Sequence, residues 1–154
     1  MEDKMTEDST LTILLVEDNP GHAKLVEKNL RRSSISNKIV MLDNGQKALD
    51  FIFREGEYSD LKENGHYLIL LDLNLLVIDG YEVLNRLKND ERSSHYPIII
   101  LTTTDNPYEV SRCYNMGCNV YITKPVDYDK FTEAIRSLGL FLKIVEIPKK
   151  EKQR

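Results

Sequence analysis

The sequence predicts an α/β domain in which a five-stranded parallel sheet carries helices on both faces. Three observations predict it. Five short apolar runs recur along the 154 residues, each too brief for a helix. Each run is followed by turn-forming residues such as Asn, Asp, Gly or Pro, and then by a stretch whose apolar residues are spaced by three and four. Strand-then-helix units favour parallel pairing, and right-handed crossovers wind such a chain into a doubly wound sandwich.

The elements follow in order. LTILLVE (Leu11 to Glu17) reads as a buried strand. Asp18, Asn19, Pro20 and Gly21 punctuate it, with Pro20 suited to the first turn of a helix that runs to about Arg32 and buries Ala23, Val26 and Leu30. KIVMLD (Lys38 to Asp43) is the second strand, and Ala48, Leu49, Ile52 and Phe53 form the stripe of the second helix. The polar stretch from Arg54 to Gly65 reads as a long exposed connection. The third strand runs from Tyr67 to about Leu73, and a helix after Gly80 buries Val83, Leu84 and Leu87. PIIILT (Pro97 to Thr102) is the fourth strand, Pro107 to about Met116 the fourth helix, and Gly117 its stop. NVYIT (Asn119 to Thr123) is the fifth strand. The last helix buries Phe131, Ala134, Ile135, Leu138 and Leu142.

Composition narrows the function. A net charge of −4 and 30% charged residues disfavour nucleic acid as a partner. No apolar run approaches a membrane span of about 20 residues, and the start MEDKMTEDST is unlike a signal peptide. Cys113 and Cys118 give no disulfide framework and read as small reduced residues in or near the core, which points to a cytoplasmic setting. His22, His66 and His95 read as surface residues, with at most a minor role for His22 beside the acid pair.

Chemistry is expected where parallel strands end, outside their carboxyl termini. The first strand ends in Glu17-Asp18, the third at Asp72, the fourth in Thr102-Thr103-Thr104, and the fifth in Thr123-Lys124-Pro125. Asp72 sits hard against an apolar run, where a carboxylate without partners costs several kcal/mol. Three carboxylates in one crevice repel one another. A hard divalent cation such as Mg²⁺, which takes oxygen ligands and keeps several waters, relieves that repulsion together with Lys124.

These motifs, ILLVEDNP, LILLDLNL followed by DG, PIIILTT and VYITKP, together resemble the receiver domain of two-component response regulators. Thr102 lies 30 residues after Asp72 and Lys124 a further 22 on, spacings usual in that family. The likeness spans about Leu11 to Leu142 and implies the flavodoxin-like strand order 2-1-3-4-5. The EDNPGHAKLV start, the long segment before the third strand and the FLKIVEIP end are similar to receivers that accompany phytochrome-type photoreceptor kinases.

The resemblance implies roles for particular residues. Asp72 would accept a phosphoryl group from a histidine kinase, and Glu17, Asp18, Asp72 and the Asn74 carbonyl would hold Mg²⁺. Lys124 and Thr102 would meet phosphoryl oxygens, with Asn74, Thr103 and Thr104 flanking the group. Thr102 and Tyr121 would form a two-state switch, although an aromatic residue is also ordinary in a strand. Lys124-Pro125 would carry a cis peptide. Leu76 stands where the family commonly has proline, which leaves that loop freer.

The expected organisation is a flexible leader at 1–10, a receiver at 11–146 and a flexible tail at 147–154. With no output domain in view, signalling would pass through protein contacts, including a homodimer through residues 107–145 in which Leu140, Phe141, Ile144 and Val145 extend an apolar patch. Such a protein catalyses its own phosphorylation and dephosphorylation without being a turnover enzyme. Three alternatives compete. A Mg²⁺-dependent aspartyl-phosphate phosphatase of the haloacid dehalogenase type wants a second acid where Asn74 stands. A flavodoxin-like nucleotide binder would need a phosphate-cradling first loop, and EDNPGH is acidic. A phosphorylation-independent binding module has no need of the full set of reactive side chains found here.

Overall fold

The computed structural model describes residues 10–61 and 65–140. Five parallel strands, β1 (Leu11–Val16), β2 (Ile39–Leu42), β3 (His66–Asp72), β4 (Ile98–Thr102) and β5 (Val120–Thr123), form one sheet in the order 2-1-3-4-5. The helices between and after them are α1 (Pro20–Arg32), α2 (Gly45–Phe53), α3 (Gly80–Lys88), α4 (Pro107–Asn115) and α5 (Tyr128–Leu138). The expected five-stranded doubly wound architecture is therefore the observed one.

Side-chain alternation divides the core into two layers. Leu14, Val16, Ile69, Leu71, Ile98 and Ile100 face α2, α3 and α4, where they meet Ala48, Leu49, Val83, Leu84, Leu87 and Cys113. Ile13, Leu15, Leu68, Leu70, Ile99 and Leu101 face α1 and α5, where Ala23, Val26, Leu30, Phe131, Ala134 and Ile135 pack. Strands buried on both faces have no need of polar alternation, which is why they read as continuous apolar runs.

The helix starts follow from their sequences. Asn19, Asn44, Asp79, Asn106 and Asp127 each accept a hydrogen bond from a backbone N–H of the following first turn. Gly117 and Gly139 take left-handed conformations, with φ of 106° and 68°, just beyond the ends of α4 and α5.

Two expectations need correction. The connection after α2 is not wholly irregular: Gly56–Tyr58 forms a 3₁₀ turn. This turn brings the Tyr58 ring 5.3 Å from Phe51, edge-on, and Tyr67 lies 5.6 Å from the same ring, also edge-on. Phe51 is therefore buried, whereas Ile52 and Phe53 only border the core, which shifts the helix stripe from the one expected. Leu142, Phe141, Ile144 and Val145 lie outside the described residues, as do most of the leader and all of the tail.

Candidate functional site

The carboxyl ends of β1, β3, β4 and β5 place four polar segments along one rim. β1 pairs with β3 from Leu11–His66 to Val16–Leu71, and β3 pairs with β4 up to Asp72–Leu101. Those registers bring Glu17 and Asp72 to adjacent strand ends. Glu17 and Asp72 are buried, at 4% and 5% exposure, and Asp18 is half-buried. Oxygens of all three carboxylates lie within 4.8 Å of one another.

Lys124 reaches over this cluster from beyond β5. Its Nζ donates to Glu17 Oε1 at 2.5 Å and lies 3.8 Å from Asp72 Oδ1. The lysine expected to neutralise Asp72 thus makes its closer contact with Glu17, and Asp72 takes the weaker share of the charge. Burial and the Glu17 charge push the Asp72 carboxyl up from 3.8 to about 7. Lys124 and the backbone N–H of Asn74 pull the other way without cancelling that rise.

The loop after Asp72 is pinned by two glycines. Gly80 donates its N–H to the Leu73 carbonyl at 3.0 Å, and a Cβ on Gly80 would strike the Asp72 carbonyl oxygen and Leu73 Cα. A Cβ on Gly45, at the start of α2, would strike the Ile78 carbonyl oxygen. Between these contacts Leu76 and Val77 are exposed, and Val77 has a φ of 71°, costly for a β-branched residue. The Ile78 N–H bonds to the Leu76 carbonyl at 2.8 Å, closing a three-residue turn around Val77. Sequence reasoning saw the Asp79-Gly80 pair as a motif but missed why only glycine fits there.

Thr102 is fully buried, and among the described residues its Oγ1 has no hydrogen-bond partner. Tyr121 donates its hydroxyl to the Thr104 carbonyl at 2.7 Å. Strand alternation places Thr102 on the sheet face of Ile98 and Ile100, and Tyr121 pairs with Ile100 and packs against that same layer. Burial pushes the Tyr121 hydroxyl up to about 12, which keeps it a donor. Asn74 and Thr103 are exposed and Thr104 half-buried at the rim. The Lys124-Pro125 bond is cis.

His22, read from the sequence as a surface residue, is half-exposed but reaches the site. Its Nδ1 lies 3.1 Å from Lys124 Nζ and 3.9 Å from Glu17 Oε2. Its place in the first turn of α1, directly after the acid pair, was the available signal. His66 and His95 are exposed, and Cys113 and Cys118 are buried free thiols.

An all-oxygen, strongly acidic donor set fits a hard divalent cation, and the unpartnered Thr102 hydroxyl fits a further acceptor at the neighbouring strand end. Among the described residues, no helix is long and apolar enough to cross a membrane.

An acid trio with two buried members, an overlying lysine and a strand-end threonine on this sheet define a receiver. Residues 13–136 match the response regulator receiver domain, and the chain belongs to that family. It is similar to the response regulator Rcp1 of Synechocystis sp., with 34% identity over 137 residues covering 88% of this chain and 92% of that one. The Mn²⁺-bound form of Rcp1 superposes with a TM-score of 0.70, covering 90% of this chain and 99% of that chain at 34% identity. The bacteriophytochrome response regulator RtBRR gives a TM-score of 0.80 at 34% identity, covering 92% of this chain and 85% of its own. The phosphorylated cyanobacterial phytochrome response regulator RcpA gives 0.70 at 32% identity, covering 86% and 94%.

Proposed function

We propose that the chain accepts a phosphoryl group on Asp72 from a histidine kinase and signals through protein contacts. The observation that carries this reading is the meeting of Glu17, Asp18 and Asp72 within 4.8 Å beneath Lys124. An Asp72 oxygen attacks the phosphorus of a phosphohistidine; the new O–P bond forms as the P–N bond breaks, and the imidazole leaves with a proton. Glu17, Asp18, Asp72 and the Asn74 carbonyl would hold Mg²⁺, which when bound offsets the charge on the transferring group. Lys124 Nζ meets one phosphoryl oxygen and Thr102 Oγ1 another, which gives that buried hydroxyl its missing partner. Asn74, Thr103 and Thr104 flank the group and govern how water reaches it. Movement of Thr102 toward the phosphoryl group changes the space beside Tyr121 and biases that ring between two positions. The Mn²⁺-bound form of Rcp1 and the phosphorylated form of RcpA support this reading.

Incubation with acetyl phosphate and Mg²⁺ tests it. One phosphoryl mass should appear on the protein and be abolished by Asp72→Asn or by chelation. Continuous release of inorganic phosphate at high turnover would instead support the phosphatase.

The same reading assigns the kinase to the phytochrome type, supported by the likeness to RtBRR and RcpA. Purified phytochrome-type kinases should transfer phosphate faster than kinases without a photosensory region; equal rates would reject the assignment. The domain runs over 11–146. Its homodimer contact is the α4–β5–α5 face within residues 107–145, supported by the exposed rings of Tyr108, Tyr114 and Tyr128. Monomeric elution at tens of micromolar, with and without phosphorylation, would remove the dimer.

A further inference from the structure

We infer that His22 is a positioning residue for Lys124, and that it sets which proton of the ammonium faces the phosphoryl group. This inference rests on the reading of Asp72 as phosphoacceptor.

The Lys124 ammonium has three protons and no lone pair. One proton goes to Glu17 Oε1 at 2.5 Å. The His22 contact at 3.1 Å must then be a second donation, so Nδ1 carries the lone pair and the imidazole proton sits on Nε2. With two protons committed, the third is left for the side of Asp72 Oδ1, which at 3.8 Å is too far for a hydrogen bond. That gap is where an oxygen attached to phosphorus would enter.

The His22 backbone is itself held in place. The backbone N–H of His22 donates to Asn19 Oδ1 at 3.1 Å, the cap of α1, and the Asn19 N–H donates to Glu17 Oε2 at 3.2 Å. Glu17, Asn19, His22 and Lys124 thereby form a closed ring of hydrogen bonds that fixes both acceptors on the lysine. The ring borders a cavity of about 210 Å³ whose other walls are Leu25, Val26, Asn29, Thr103, Pro125 and Val126. An ammonium on a four-carbon stem is otherwise free to swing, and orientation of a charged donor is worth much of its effect on a transferring group. Glu17 alone would leave the ammonium free to rotate about a single contact.

The test compares His22→Leu, which keeps the bulk and loses the acceptor, with His22→Asn, whose Oδ1 stands close to the position of Nδ1. In phosphorylation by acetyl phosphate, His22→Leu should lower the limiting rate about three- to tenfold, with the Mg²⁺ half-saturation unchanged within about twofold. His22→Asn should recover the wild-type rate within about twofold. A structural role alone would not separate two variants of equal stability in this way. In parallel, ¹⁵N spectra of wild type should show His22 as the Nε2–H tautomer and a protected Lys124 ammonium signal, assigned by Lys124→Arg, that disappears in His22→Leu. Equal rates for His22→Leu and wild type, no advantage of Asn over Leu, or an Nδ1–H tautomer would each overturn the assignment. A wild-type protein that gains no phosphoryl mass at all would overturn the phosphoacceptor reading and His22 with it, a result distinct from the other three.

Discussion

Asp72→Asn should stabilise the protein when divalent cations are chelated, and the gain should grow with pH. The Asp72 carboxyl rises from 3.8 to about 7 through burial and the charge of Glu17. Between those two pH values the folded chain keeps a proton that the unfolded chain has lost. Stability therefore falls as pH climbs from about 4 to about 7, the sign expected of a carboxyl whose folded pKa is raised. At 1.36 kcal/mol per pH unit the full loss is on the order of 4 kcal/mol. Asparagine keeps the shape and carries no charge at any pH, so the variant should lack this slope. Urea unfolding from pH 4.5 to pH 8 in chelator reads the difference directly, because contributions common to both proteins cancel. The two curves should differ by about 1 kcal/mol at the acid end and by about 4 kcal/mol at pH 8. Parallel curves would refute the claim that burial, with the Glu17 charge beside it, raises the Asp72 carboxyl in the folded state. Adding Mg²⁺ should raise the wild type alone, by about 2.7 kcal/mol at a hundredfold excess over its dissociation constant.

Two further outcomes follow from packing and from the sheet edge. Gly80→Ala would drive a Cβ into the backbone of Asp72 and Leu73, which no side-chain rotation relieves; a loss of about 3 kcal/mol in urea unfolding is expected, and a near-neutral result would place the loop elsewhere. On β5, the Tyr121 N–H donates to the Tyr114 hydroxyl at 3.1 Å. Tyr114→Phe should cost about 0.5–1 kcal/mol and speed hydrogen exchange of the Tyr121 amide; unchanged exchange would show that the hydroxyl does not cap the strand.

The fold was legible because local signals agreed. The three inner strands are runs buried on both faces, each α-helix begins at an Asn or Asp cap, and Gly117 and Gly139 end theirs with φ values glycine tolerates best. The acid trio was legible for a different reason: parallel strands deliver their ends to one rim, so Glu17-Asp18 and Asp72 had to meet once the order 2-1-3-4-5 was assumed. What stayed hidden depends on distances that spacing alone does not encode. Phe51 is buried because the 3₁₀ turn at Gly56–Tyr58 returns an aromatic ring to it, a contact made by a segment whose polarity suggested solvent.

His22 shows the same limit at the site. Its sequence position fixes it near Glu17, but its partner Lys124 lies 102 residues away and approaches only because β5 ends beside β4, which ends beside β3. Motif reading assigns a charge to each strand end; the structure shows how those charges are shared. Lys124 divides itself among Glu17, His22 and Asp72 at 2.5, 3.1 and 3.8 Å, and the longest of these contacts is to the residue expected to take the phosphoryl group. Two firm acceptors hold the ammonium while the nucleophile stays loosely engaged, so attack at phosphorus need not first break a strong ion pair.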